Sequence, residues 1–501
     1  MISVFETRKL ADIYDEICTV YLSDARPWIL GFSGGKDSTC MVQLIWCALS
    51  SLPKSKLKKS VYVISSDTLV ESPRIVEQIT TSLDMMDQAA KKAGLPLSTN
   101  LVRPKFEDSF WTCLLGKGFP APTNLFRWCT DRLKVRNADR FIKEKVSQYG
   151  EAIIVLGTRK NESGSRNQLM NLYEIKGSLL SRHSKLAQTY VYTPLRDFIT
   201  EDVWNYLLQN KNPWGANNRD LLALYQNANA AECPLVVDST TPSCGNSRFG
   251  CWVCTVVDKD SSLVNTIENG CEWMEPLLEL REALKSTQDP KKRRDVRELR
   301  RRNGQMRLID HAQRRSLDDE LSKSMSVDEM IRTGDPYDIL TPGPYTMEFR
   351  MKFLEMLLNA QEKIRKEGPD PKISLIHEEE IREIQKLWRM ECGDWQNSAY
   401  RIYTNVTGVI ISDDQDDLGT FGVLEQETLE SSCDEHGVPP LLVSRLLNAE
   451  LDSQGMTRHS AIYPKLNKIL SEEWRDDLKE IVDDLKERRQ QSRDYGGQPA
   501  C

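Results

Sequence analysis

From residue 28 to about residue 200 the chain alternates short apolar runs with segments of helical period, and few folds accept that pattern. "PWILGFS" reads as a strand, and the following "CMVQLIWCALSSL" places Met41, Leu44, Ile45, Ala48 and Leu49 on one helical stripe. "SVYVISSD" is a second strand, and "PRIVEQITTSLDMMDQAAKKAG" is a helix opened by Pro73 and closed by Gly94. "TNLVRP" and "EAIIVLGT" supply further strands, the second preceded by a basic helix from about Asp131 to Ser147. Strand and helix in turn predict an α/β fold with a parallel sheet covered on both faces. Ligands of such sheets sit beyond the carboxyl ends of the strands.

One of those ends reads "GFSGGKDSTC" at residues 31–40. Adjacent glycines let the backbone approach a ligand closely and adopt positive φ. The amides of the turn and of the helix start then converge on one point and favour an anion. Lys36 adds a point charge, and Ser33 and Ser38 add hydroxyl donors to a cradle whose backbone runs through Gly34 and Gly35. Asp37 is unsuited to phosphate contact and suits a cap or a Mg²⁺ ligand. The spacing is not that of a Walker A loop, since Asp37 follows the lysine.

At 501 residues the chain exceeds one compact core, and its net charge of −7 excludes a generally basic nucleic-acid coat. The start, "MISVFETRKLADIYDEI", has no apolar stretch of secretory type, and no run of about 18 apolar residues marks a membrane span. A cytoplasmic protein with no membrane partner is expected. Its 13 cysteines therefore point to metal or sulfur chemistry rather than disulfides. Four of them, Cys233, Cys244, Cys251 and Cys254, are spaced C-x10-C-x6-C-x2-C, which suits a four-thiolate site. Spacing alone leaves Zn²⁺ and a 4Fe-4S cluster equally open. Cys40, in the first turn of the helix after the glycine loop, and Cys129, between Arg127 and Arg132, are placed where a thiol pKa is expected to fall. "KKRRDVRELRRR" at 291–302 holds eight basic and two acidic residues and reads as a helix able to track a phosphate backbone.

The loop resembles the SGGxDS pyrophosphate loop of the PP-loop ATP pyrophosphatases, the adenine nucleotide alpha-hydrolase-like group of adenylating and sulfur-handling enzymes. Four further segments resemble the phosphoadenylylsulfate (PAPS) reductase branch: "SSDTLVESPR", "LFRWCTDRLK", "GTRKNESGSR" and "YTPLRDFITEDVWNYL". The resemblance implies ATP binding by Ser33, Gly34, Gly35, Lys36, Asp37 and Ser38, with Asp67 facing the adenosine. It further implies oxyanion binding by Arg127, Lys134, Arg159 and Arg166, and catalytic roles for Lys36, Asp37 and Cys129. With the cysteine segment "CGNSRFGCWVC", residues 10–275 look like the DndC family of DNA phosphorothioation enzymes. That resemblance implies a 4Fe-4S cluster on the four spaced cysteines, with Cys271 near enough to substitute for one.

The domains expected are a PP-loop domain over 1–230, an iron–sulfur segment over 231–275, a basic helical region over 276–340 and a mainly helical domain over 341–501. The implied function is ATP-dependent sulfur transfer to a DNA backbone phosphate activated by adenylation. The implied partners are DNA, a cysteine desulfurase as sulfur donor and companion proteins of the modification pathway; ATP, Mg²⁺ and the cluster are the implied cofactors. Three rivals accompany it: a PAPS or adenylylsulfate reductase, with Cys392 of "MECGDWQ" in a superficially suitable context, a tRNA thiolase, and a zinc-stabilised PP-loop scaffold without activity.

Overall fold

The computed structural model describes residues 2–162, 164–228, 250–309, 331, 334–411, 423–451, 453 and 462–494. The chain divides into two compact units. The first comprises Met1–Lys105 and Arg127–Leu278, and the second Phe106–Phe126 and Glu279–Cys501.

The first unit is built on a six-stranded sheet of order β3-β2-β1-β4-β6-β5. Its strands are β1 (Trp28–Gly31), β2 (Val61–Ser66), β3 (Leu97–Val102), β4 (Ala152–Val155), β5 (Leu180–Arg182) and β6 (Thr189–Tyr192). All neighbours run parallel except β5 and β6, which pair antiparallel. The four expected strands are the four contiguous ones. The edge pair, of three and four residues, was not expected from the sequence. The α-helices of this unit are α1 (Val4–Thr7), α2 (Leu10–Leu22), α3 (Lys36–Ser50), α4 (Pro73–Ala93), α5 (Arg136–Tyr149), α6 (Gly164–Leu172), α7 (Thr200–Gln209), α8 (Asn218–Ala228) and α9 (Ser261–Glu268), with a further one at its boundary.

Alternation along the strands divides the core. Trp28, Leu30, Val61, Val63, Ile153 and Val155 face one side, where they pack with residues of α2, α3, α4 and α7. Ile29, Ile64 and Ile154 face the other, against Ile142 of α5. The helix α4 matches its expected limits: Pro73 occupies its first turn, and Gly94 closes it in the left-handed conformation.

The first residue of α8 is locked to the core. The buried Gln43 amide donates to Asn218 Oδ1 at 2.7 Å, and Asn218 donates to the carbonyl of Leu207 at 2.7 Å. That anchor fixes where the rest of α8, including Tyr225, comes to lie.

The second unit is helical over its described residues after 335. Thr346 caps the helix Met347–Glu367 by accepting from the Phe349 amide, and Gly393 closes Glu378–Cys392 in the left-handed conformation. The excursion Phe106–Phe126 is sewn to these helices by two indole donors. Trp111 donates to the carbonyl of Leu375, and Trp388 to the carbonyl of Leu115, each at 2.7 Å. The basic stretch 291–302 is helical only over Pro290–Val296. From Arg297 the backbone is extended and turning, with Arg297 bridged to Tyr345 and Leu308 to Leu340.

No helix among the described residues is long and apolar enough to cross a membrane.

Candidate nucleotide and thiol site

Trp28–Gly31 ends as expected in a glycine turn, and α3 starts at Lys36 with Gly35 as its N-cap. Gly34 has φ +73°, a conformation that strains any residue with a Cβ, and such a Cβ would also meet Ile79 at 3.1 Å. Ser33 and Ser38 clasp the turn: the Ser33 amide donates to Ser38 Oγ at 3.2 Å, the two hydroxyls lie 3.1 Å apart, and Ser38 donates to the Gly35 carbonyl at 3.0 Å. The Lys36 amide donates to the Tyr225 hydroxyl at 3.2 Å. Among the described residues, no protein group accepts from the amides of Gly34 and Gly35. The loop thus presents two open donors at a helix N-terminus, the arrangement that binds a phosphate oxyanion.

Lys36 and Asp37 act together. Asp37 accepts from Lys36 Nζ at 3.0 Å on one oxygen and from Arg159 Nε at 2.7 Å on the other. Arg159 also donates to Thr200 Oγ1 at 3.1 Å, and its side chain is only 5% exposed. The guanidinium expected to bind an oxyanion is therefore committed to Asp37. Gly157 makes this possible: a Cβ there would come within 2.8 Å of the Asp37 carbonyl oxygen.

A cleft of about 610 Å³ opens beside the loop, lined by Ser33, Gly34 and Gly35, by the carboxyl end of β2, and by α4, α5 and Tyr225. It lies beyond the strand ends, where the sheet topology puts a ligand. Ser65 and Ser66 of β2 line it, and the buried Ser65 hydroxyl has no hydrogen-bond partner. Asp67 does not line it. Its carboxylate accepts from the Leu69 amide at 2.9 Å and from Arg103 Nε at 2.8 Å, holding Leu69 at φ +65°. The same turn carries Glu71 into the cleft wall.

Glu71 and Lys134 form the charged end of the cleft. Their side chains pair at 3.1 Å, and Thr68 and Cys251 also approach Glu71 Oε1, at 3.3 and 3.8 Å. Cys251 first, and Glu71 after it, raise the Lys134 ammonium pKa, which keeps it charged. Cys251 is brought here by an isolated bridge to Glu71, with the Trp252 amide donating to the Val70 carbonyl. The Cys254 amide donates to the Cys251 carbonyl at 3.1 Å, so both thiols leave one turn. Cys129 belongs to the same neighbourhood: burial pushes its thiol pKa up, and Cys254 adds to the rise. Cys40 is fully buried, and burial followed by the Asp37 charge holds its thiol well above the ordinary value. The expected lowering of these two thiols by helix and arginines is thus reversed, because desolvation outweighs both.

The remaining expected residues scatter. Arg127 is exposed, Arg166 lies in α6, and Cys233 and Cys244 fall outside the described residues. Among the described residues no three His, Cys, Asp or Glu side chains are arranged to hold a metal ion. Cys271 is buried, just after α9. The sequence reading missed Tyr225, Glu71, Ser65, Gly157 and His183, which also lines the cleft. Burial holds the His183 pKa below the usual imidazole value, and its Nδ1 accepts from the amides of Lys185 and Leu186.

Residues 27–257 match the family model of the phosphoadenosine phosphosulfate reductase domain. No curated protein matches the chain. Among solved structures, the chain is similar to phosphoadenylyl-sulfate (PAPS) reductase from Candida auris in complex with phosphate, at 16% identity and TM-score 0.26, covering 45% of this chain and 94% of that one. It is also similar to the U34-tRNA thiolase NcsA from Methanococcus maripaludis with its 4Fe-4S cluster, at 13% identity and TM-score 0.25, covering 44% of this chain and 74% of that one.

Proposed function

Taking a PAPS reductase-like PP-loop domain over residues 27–257 as the premise, we propose that the protein is an ATP-dependent sulfurtransferase that replaces a non-bridging oxygen of a DNA phosphodiester with sulfur. The observation that carries this reading is the loop Ser33–Ser38, whose open Gly34 and Gly35 amides line a cleft whose Glu71 wall is approached from behind by the Cys251 thiol.

A phosphate oxygen is a poor leaving group. In the proposed sequence a DNA phosphate oxygen attacks the α-phosphorus of ATP, the α–β bond breaks, and pyrophosphate departs with the electron pair. The loop amides and Lys36, with Mg²⁺ as the ion ATP brings, stabilise the charge on the departing pyrophosphate. Asp37 orients Lys36 and holds Arg159 behind the loop. Hydrosulfide then attacks the adenylated phosphorus, AMP leaves, and the sulfur loses its proton. A cysteine desulfurase delivers its sulfur as a persulfide, and an external dithiol supplies the two electrons that cleave the S–S bond, releasing hydrosulfide and leaving the dithiol oxidised to a disulfide.

The thiols of Cys251 and Cys254 leave one turn beside a cation, which fits two ligands of a 4Fe-4S cluster completed by Cys233 and Cys244. Bound there, the cluster would supply a sulfide-rich redox centre at the cleft end. Cys129, in the same neighbourhood, is the thiol that would carry the sulfur.

A second reading is a PAPS reductase, favoured by the family match. Against it, the Cys392 expected to act in such an enzyme is packed into the end of the helix Glu378–Cys392, where it accepts from the buried Arg350 at 3.5 Å. Pyrophosphate release from ATP separates the readings. Release stimulated by DNA and independent of sulfonucleotides supports sulfur transfer, whereas sulfite formed from PAPS establishes the reductase. Cys251→Ser and Cys254→Ser in anaerobically purified protein should lose iron and the brown absorbance; a colourless zinc protein before mutation would overturn the cluster assignment.

A further inference from the structure

The second unit contains a cleft of about 1020 Å³ lined by nine cationic side chains and by three acids, Glu298, Glu391 and Asp476. The imbalance matters because of how the cations are held. Arg294 is matched by Asp338 at 2.6 and 2.7 Å, Arg302 by Glu391, Arg445 by Glu472, and Arg475 by Glu473 and Asp484. Those four are neutralised.

The other five have no carboxylate at ion-pair distance among the described residues: Arg297, Arg300, Arg301, Arg350 and Lys468. Arg350 is the most telling. It is 4% exposed, yet it meets only the carbonyls of Tyr345 and Gly116 and the sulfur of Cys392. Arg297 donates to the Gly343 carbonyl; burial brings its pKa down to about 10, and the Arg293 and Arg350 charges add to the fall. Arg300 lies over the Trp474 ring at 5.1 Å with its Nε buried and without a hydrogen-bond partner. A buried cation without a counter-charge is costly, and a cluster of them calls for an anion from outside the chain.

We propose that this cleft seats the phosphodiester backbone of the DNA substrate. The proposal rests on the reading of DNA as the acceptor. The shape of the charge selects a polyanion over a single phosphate: Arg297, Arg300 and Arg301 follow one another along the extended segment after Pro290–Val296, with Lys468 contributed by the distant helix Ile462–Leu470. Arg297 and Arg350, held by carbonyls, and Arg300, laid over the Trp474 ring, are preorganised and lose little freedom on meeting phosphate oxygens. Because phosphate binding releases counterions, a DNA seat makes a thermodynamic demand that a merely solvated charge run does not meet.

The test is a fluorescence-anisotropy titration of a labelled 30-base-pair duplex over a salt series. It compares the full chain with Arg300→Gln/Arg301→Gln/Lys468→Gln, three cations whose removal strands no carboxylate partner. For wild type, log Kd should rise linearly with log salt, and the triple variant should lower that slope by about 2 to 3, at about 0.9 for each phosphate no longer neutralised. A melting temperature close to wild type shows that the variant is folded, and Arg300→Lys in place of Arg300→Gln should recover most of that residue's share of the slope. If wild type binds DNA and the triple variant keeps its slope, the cleft is not the DNA seat, and the proposal fails while the DNA reading stands. If the triple variant loses only calorimetric uptake of inorganic phosphate, the cleft serves a free anion, and the proposal again fails. If wild type binds no duplex even at low salt, DNA as acceptor is lost and the proposal with it.

Discussion

The backbone amide of Lys36 points at the hydroxyl of Tyr225, 3.2 Å away, at the spot where the first turn of α3 would greet a phosphate. The same ring lies 5.3 Å beneath the Lys36 ammonium and stands edge-on to Trp204. A side-chain oxygen from α8 therefore takes the Lys36 amide, the donor that the proposed function gives to a phosphate.

Tyr225→Phe removes that occupant without disturbing the ring contacts. An ordinary hydrogen bond contributes about 0.5 to 1.5 kcal/mol. The variant should accordingly bind ATP or pyrophosphate about 2- to 10-fold tighter in an equilibrium titration. Weaker binding would mean that the hydroxyl moves onto the ligand instead of competing with it.

Asp37 is predicted to matter for stability as well as for turnover. Asp37→Ala leaves Arg159, 5% exposed, without its carboxylate, and stranding a buried charge costs about 3 to 5 kcal/mol. Urea unfolding should show that loss. Asp37→Asn, which keeps an acceptor, should recover part of it while pyrophosphate release stays low. A fully stable Asp37→Ala protein would contradict the assigned pairing.

Gly157→Ala tests the close approach of β4's end to the loop. The added methyl would meet the Asp37 carbonyl oxygen at 2.8 Å and the Ser38 amide at 3.2 Å. Overpacking of this kind costs about 1 to 3 kcal/mol. Because the displaced backbone is the loop itself, nucleotide affinity should fall along with melting temperature. A variant that melts lower yet binds ATP normally would show that the loop does not depend on this contact.

The second unit carries a titrating group of its own. Burial pushes the Glu380 carboxyl up to about 7, although it accepts from the His377 amide at 2.9 Å. Its ordinary value is near 4.5, so the unfolded chain ionises first as pH rises. The stability this group confers is complete below about pH 4.5 and drains away as pH climbs toward 7. Glu380→Gln should flatten the pH dependence of unfolding between those limits and stabilise the neutral-pH protein by about 1 to 3 kcal/mol. An unchanged pH profile would show that Glu380 ionises freely.

Much of the first unit was legible because period and punctuation agreed. Pro73 and Gly94 bracket α4, the four contiguous strands β1 to β4 carry apolar runs, and the glycine loop falls between β1 and α3. The strands β5 and β6 were not legible because "LSR" and "TYVY" lack the apolar run that marks the similarly short Trp28–Gly31 and Ala152–Val155. The helical reading of 291–302 failed beyond Val296 because the sequence shows charge but not the bridge from Arg297 to Tyr345. Within the site, Lys36, Asp37 and Cys129 stand out from local context, and Lys134 through the resemblance of "LFRWCTDRLK". Tyr225 does not, since it sits in no motif and reaches the cleft through tertiary placement, and Glu71 is only one unmarked acid within "SSDTLVESPR". Only the "SSDTLVE" turn carries a signal, and there Asp67 is more conspicuous than the acid four residues later.

The route of the chain through residues 106–126 has a practical consequence. Phe110, Trp111, Leu114 and Leu115 are sequestered by a body whose other residues all lie after 278. Ending translation near that point would therefore strip this greasy insert of the residues that cover it, and such a fragment should clump in solution. Excising the insert together with the C-terminal portion, and rejoining Lys105 to Arg127 through a short polar bridge, is the dissection more apt to yield a well-behaved protein.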